Sequence, residues 1–100
     1  MNDNIFSPNI SDKNSEQFDT LLQNSKLHIE KITSHGQTSS SWYDQDHEEW
    51  VVLLEGEATL LLNNEEKKLS KGETLFIPAN MPHRVLSTKQ NTIWLTVHIF

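Results

Sequence analysis

Residues 72–83 read Gly72-Glu73-Thr74-Leu75-Phe76-Ile77-Pro78-Ala79-Asn80-Met81-Pro82-His83, and the fold is decided there. Gly72 follows Lys71 and suits a turn that needs positive φ. Leu75, Phe76 and Ile77 are an apolar run of strand length. Pro78 and Pro82 bracket a corner that cannot continue a ladder, because neither has an N–H to donate. Such a corner fixes where the next strand begins, and so where the side chain of His83 points.

A second stretch is read with the first. Trp42-Tyr43-Asp44-Gln45-Asp46-His47-Glu48-Glu49-Trp50 holds two aromatics, a dense set of oxygen and nitrogen donors, then a third aromatic. It leads into Val51–Leu54, a buried strand. Gly56 marks a tight bend, Ala58–Leu62 is the next strand, residues 63–66 are a polar hairpin loop, and Lys67–Leu69 returns. Beyond His83, Arg84–Leu86 is a strand, Ser87–Asn91 a loop and Thr92–Phe100 the last strand. There Ile93, Leu95, Val97 and Ile99 alternate with Trp94, Thr96, His98 and Phe100, as for a strand covered on both faces of a sandwich.

Upstream, Lys26–Thr33 reads as a strand. The spacing of Ile29 and Ile32 breaks strict alternation and allows a bulge, and His28 and Glu30 share its wetter face. His28 and His35 read as surface residues. Residues 1–25 are assigned as an N-terminal arm and short helix, and residues 26–100 as the barrel of a single domain. Asn14 or Ser15 caps the helix, which runs to about Leu22, with Phe18, Leu21 and Leu22 on one face. Ile5, Phe6 and Ile10 pin the arm, or Ile5 and Phe6 add a strand to a sheet edge.

Many short strands with regular turns give an all-β sandwich or barrel. A chain of 100 residues supports one small core, and such cores often lean on a partner subunit or a metal. The net charge of −6 argues against nucleic acid or an anionic membrane as partner. No apolar run is long enough to span a bilayer. No secretory signal is visible, so a cytoplasmic location is the default. Without cysteine there is neither a disulfide framework nor a thiolate metal site.

The spacing Gly72, Pro78, Asn80, His83, Ser87 resembles the second motif of the cupins: glycine, five residues, proline, one residue, glycine, two residues, histidine, three residues, asparagine. Asn80 stands where glycine is usual, and asparagine is the best non-glycine substitute in a left-handed turn. Ser87 replaces the asparagine. The first motif runs histidine-x-histidine, three or four residues, glutamate, six residues, glycine. Counting back from Gly56 puts its glutamate at Glu49. Its histidine positions fall on Tyr43 and Gln45, or on Trp42 and Asp44, and neither pair contains histidine. The Trp-Tyr-Asp-Gln-Asp run resembles a subgroup of short bacterial cupins. The resemblance implies an all-β double-stranded β-helix, a jelly-roll barrel.

It also places Glu49 and His83 inside the barrel. If the strand is regular back to Tyr43, then Tyr43, Gln45, His47 and Glu49 share a face. His83, Glu49, His47 and Gln45 then make a mixed nitrogen and oxygen set suited to Fe, Mn, Ni or Zn, with open positions for water or substrate. Tyr43, Asp44, Trp94 and His98 are assigned to the substrate pocket. Plainer readings stand beside these. His83 is a satisfied interior histidine; Glu49 pairs with Arg84 or Lys71; His47 is a surface histidine among acids; Gln45 only hydrogen-bonds. Tyr43, Trp42 and Trp50 are core or pocket wall. His98 supports the site if its face looks inward.

Three functions follow from the resemblance: a metal-binding enzyme (oxygenase, isomerase or decarboxylase) acting on a small molecule, a non-catalytic binding module for a small molecule or metal, or a degenerate cupin serving in assembly. Fold does not choose among them. A homodimer is expected, as cupins pair through sheet edges and the apolar surplus of Ala58–Leu62 needs cover.

Overall fold

The computed structural model of the chain describes residues 4–7, 16–38 and 41–100. Eight strands lie in them: β1 (Gln17–Gln23), β2 (Leu27–Ser34), β3 (Glu48–Glu55), β4 (Glu57–Leu62), β5 (Glu65–Ser70), β6 (Thr74–Ile77), β7 (His83–Thr88) and β8 (Thr92–Ile99). They form an antiparallel five-stranded sheet, β1-β2-β8-β3-β6, and a three-stranded sheet, β5-β4-β7. The core lies between them. The large sheet supplies Val51, Leu53, Ile77 and Trp94, and the small one Ala58, Leu60 and Leu69. Leu53 and Ile77, at 0% and 1% exposure, each contribute roughly 1.5–3 kcal/mol by burial.

Turn chemistry sets the corners. Gly72 has φ +86°, as the sequence demands, and its N–H donates to the Leu53 carbonyl at 2.7 Å. Leu53 N–H donates to the Glu73 carbonyl at 3.0 Å, so the turn before β6 is stitched to β3. Asn80, in the position where cupins have glycine, has φ +62°. Asn63, at φ +55°, turns the β4–β5 hairpin.

Strand register decides what faces the interior. Directly paired residues share a face. One rung therefore runs Ile77, Glu49, His98, His28, Gln23 across the inner face of the large sheet. The next runs Leu75, Val51, Thr96, Glu30, Thr20, and then come Leu53, Trp94, Ile32 and Phe18.

The structure corrects several expectations. The short N-terminal helix is a strand: residues 17–23 form β1, paired with β2. Phe18, Leu21 and Leu22 suit one helical face, but β2 offers an open edge, and its backbone groups bond the segment. The capping positions Asn14 and Ser15, and Ile10, lie outside the described residues. The bulge falls in β1 between Thr20 and Leu22, not in β2, which pairs with β8 without a break. Ile29 and Ile32 simply lie on opposite faces. His28 and Glu30 share a face as expected, but it is the inner one. The described part of the arm, residues 4–7, is a turn, and Lys31 Nζ donates to its Ser7 carbonyl at 3.2 Å. Ala58 and Leu60 are core residues and Leu62 packs against the core, which leaves Leu61, half-buried on the opposite face, as that strand's apolar surplus. Strand β7 continues through Ser87 and Thr88, into the expected loop.

Candidate functional site

The site forms where β3 of one sheet approaches β7 of the other. Glu49 is the second residue of β3 and shares the inner face with Val51 and Leu53. His83 opens β7 after Pro82, whose carbonyl is held by Asn63 N–H at 2.7 Å. The His83 backbone is bonded on both flanks. Leu62 of β4 is its partner on one side. On the other, Tyr43 and His83 exchange N–H···O bonds of 2.7 and 3.0 Å. His83 Nδ1 lies 2.9 Å from the Met81 carbonyl. A carbonyl only accepts, so Nδ1 carries a proton. Nε2 then faces Glu49 Oε1 across 3.9 Å, too far for a direct hydrogen bond. Both side chains are at least nine-tenths buried.

Two residues from the donor-rich run join this pair. Gln45 Nε2 donates to Glu49 Oε1 at 2.9 Å, and the Gln45 carbonyl accepts from Asn80 N–H at 2.7 Å. The Tyr43 ring stacks on the His83 imidazole, centroids 5.7 Å apart, with its outer side exposed. His47 turns elsewhere. Its Nε2 meets His98 Nδ1 at 2.8 Å, its ring lies 4.5 Å from that of Phe100, and its Nδ1 is 3.6 Å from Asp46. His98 Nδ1 is 3.9 Å from Glu49 Oε1. Burial pushes the His98 imidazole below its ordinary pKa; Glu49 opposes this, and His47 adds to it.

These groups open on a cavity of about 220 Å3 between the sheets. Gln45, Glu49, His83 and His98 line its polar end, with Tyr43 and Trp94 also in the wall. Asp44 is exposed and is not in the wall, and His47 sits behind His98 rather than in the cavity. The expectation that Tyr43, Gln45, His47 and Glu49 alternate regularly fails because β3 begins only at Glu48. The ion pairs weighed for Glu49 are not made: Arg84 lies 5.2 Å over the Trp42 ring, and Lys71 pairs with Glu55 at 3.3 Å.

The donor types, imidazole nitrogen and carboxylate oxygen, fit a divalent transition metal. Their spacing is wider than a closed coordination sphere. Adjacent donors about 2.0–2.2 Å from one ion lie roughly 2.8–3.6 Å apart at octahedral or tetrahedral angles. Among the described residues, no group of three or more His, Asp and Glu is arranged to hold a metal.

Comparison with known proteins gives the lineage. Residues 30–98 match the family model described as the cupin domain. The chain belongs to the cupin family. A protein from Ralstonia eutropha JMP134, provisionally named a mannose-6-phosphate isomerase, is similar over nearly the whole molecule. The match has 34% identity, a TM-score of 0.89, and covers 99% of this chain and 97% of that one. A cupin superfamily protein from Desulfitobacterium hafniense DCB-2 shares the fold at 19% identity and a TM-score of 0.81, covering 90% and 82%. An uncharacterized Methanocaldococcus jannaschii protein, MJ1618, is 40% identical over 38 residues; the match spans 38% of this chain and 30% of that protein. In this cupin the barrel wall also includes Glu16, Phe18, Glu30 and Thr96, which sequence reasoning passed over. Thr96 was within reach, because it stands two residues from both Trp94 and His98 on β8. Glu16 and Phe18 carry no such signal, because the apolar spacing of their segment suits a helical face as well as a strand.

Proposed function

We propose that the cavity is the ligand site of a small-molecule-binding cupin, with Glu49 and His83 holding a divalent transition metal (Fe, Mn, Ni or Zn) at its polar end. One observation carries this reading: a carboxyl group and an imidazole from different sheets point at the same interior space, 3.9 Å apart and not bonded to one another. The Met81 carbonyl fixes the imidazole so that Nε2 faces inward. Gln45 holds the Glu49 carboxyl group by one oxygen. A bound metal would supply Lewis-acid polarisation of a ligand oxygen. The chain's own residues bind and orient that ligand, with Tyr43 and Trp94 walling the site. Oxygenase, isomerase and decarboxylase chemistry all suit such a centre, and the name of the Ralstonia protein points to isomerisation.

A second reading, a binding module that needs no metal, is favoured by the bonds already made: Gln45 to Glu49, and His47 to His98. A third, a barrel kept for assembly, draws support from the departures at the first motif. Metal analysis of protein purified without a metal-affinity tag separates them. Stoichiometric transition metal is expected, with its loss in the double variant Glu49→Ala, His83→Ala. A folded wild type that neither carries nor takes up metal ends the first reading. If, in addition, the double variant keeps its stability and neither protein binds a small molecule, the assembly reading remains.

The outer face of the large sheet supports a homodimer. Phe76, Trp50, Val97, Ile29 and Leu22 form one apolar rung across all five strands. Phe76, Trp50 and Leu22 are exposed by 47%, 37% and 48%, a surface suited to cover by a second copy.

A further inference from the structure

Three glutamates, Glu16, Glu30 and Glu49, line the cavity, and none of the described lysines or arginines does. Five of the seven described lysines and arginines have a partner elsewhere, and Lys26 and Lys68 are outside the wall. Lys31 Nζ reaches the Ser7 carbonyl on the outer face, Arg84 lies over Trp42, and Lys67, Lys71 and Lys89 pair with Glu65, Glu55 and Glu57. The acids are held as part of the wall. Glu16 Oε2 accepts from Ser34 Oγ at 2.5 Å, and Ser34 Oγ in turn accepts from Trp94 Nε1 at 3.1 Å. Glu30 sits on the rung beside Thr96.

An independent sign of a ligand comes from Thr96. It is 2% exposed, lines the cavity, and its hydroxyl oxygen is buried without a hydrogen-bond partner. Leaving a buried hydroxyl unpaired is costly unless something in the cavity bonds it. His83 Nε2 adds an inward-facing nitrogen. The polar surface therefore offers mainly acceptors and negative formal charge, beside the aromatic rings of Phe18, Tyr43 and Trp94. Even a divalent cation at Glu49 would offset only part of that charge. A phosphate would meet carboxyl groups with none of the described lysines or arginines to receive it, whereas an ammonium group would meet the complementary sign.

We propose that this cavity takes a small hydroxylated amine, as its ammonium ion, in preference to a phosphorylated molecule of the same skeleton. The inference deepens the ligand-site reading above and rests on it. It also parts from the phosphate ester in the name of the Ralstonia protein.

Two matched sets test it on the full chain by calorimetric titration: mannosamine, mannose and mannose 6-phosphate; then 2-amino-1,3-propanediol, glycerol and glycerol 3-phosphate. Each set is run with and without added metal, and metal content is measured in the same samples. In at least one set the amine is expected to bind about tenfold or more tighter than the phosphate. The double variant Glu16→Gln, Glu30→Gln keeps an acceptor for Ser34 and should narrow that ratio to within about threefold, with its urea midpoint reporting the fold. A phosphate that binds as tightly as its amine in both sets overturns the proposal. So does failure of both amines to bind at millimolar concentration, or an amine preference unchanged in the folded double variant. Amine preference without metal retention sinks only the metal reading; metal retention without amine preference sinks only this one.

Discussion

His98 shows how one side chain reports on its surroundings. It lies on the inner rung between Glu49 and His28 and shares a 2.8 Å hydrogen bond with His47. Burial holds its pKa below the ordinary histidine value, so the folded state prefers the neutral ring. The sign follows from linkage. Below the unfolded-state pKa of about 6.5, the unfolded chain takes up a proton that the folded chain resists. The stability from His98 is therefore complete above about pH 6.5 and is lost as pH falls toward the lowered folded value. His98→Gln removes the titration. Urea denaturation from pH 7.5 to 5 should show a shallower loss of stability in the variant than in the wild type. Parallel curves would show that His98 does not contribute.

At the scale of elements, two glycine turns with similar φ differ in what surrounds them. Gly56 (φ +91°) joins β3 to β4, and a Cβ there would lie 2.4 Å from Thr92 Oγ1 and 2.7 Å from Thr92 Cα. Gly72 (φ +86°) precedes β6, and a Cβ there meets nothing within 4 Å. Gly72→Ala should cost about 1–2 kcal/mol from backbone strain alone. Gly56→Ala should cost clearly more, because Thr92 is fully buried and its backbone cannot give way cheaply. Denaturation midpoints of the two variants check the order, and equal midpoints would contradict it. Elements bounded by such turns were legible in sequence: Gly72, Asn80 and the strands on either side of Gly56 read correctly because φ > 0 and period-2 alternation leave local marks. The segment 17–23 did not, because three apolar residues fit a helical face as well as a bulged strand. Residues 43–47 misled for a related reason. Their backbone is placed by the bridge from Tyr43 to His83 and by the Asn80–Gln45 bond, long-range contacts with no local signature. Thus Glu49 and His83 could be placed through the resemblance to the cupin motifs, while His47 and Asp44 could not.

At the scale of the whole molecule, the two faces of the large sheet have different tasks. The inner face closes over the core and cavity. The outer face presents the rung from Phe76 to Leu22, which a second copy would cover. Trp50→Glu and Phe76→Glu should each weaken self-association by about tenfold or more, since a central tryptophan or other aromatic anchor often carries much of an interface. Sedimentation velocity over a concentration series reads this, and a wild type that stays monomeric throughout removes the dimer. The inner rungs also grade along the barrel. Ser34 and Thr92 pair at 0% exposure beside Trp94 and Leu53, whereas the Glu49–His98–His28 rung lies where side chains are wetter. Foundation and workbench are thus kept apart. A combinatorial library confined to Thr20, Glu30, Gln45 and Tyr43 would explore new ligand preferences while leaving the hydrophobic ballast untouched, which makes this small barrel a candidate scaffold for receptor engineering.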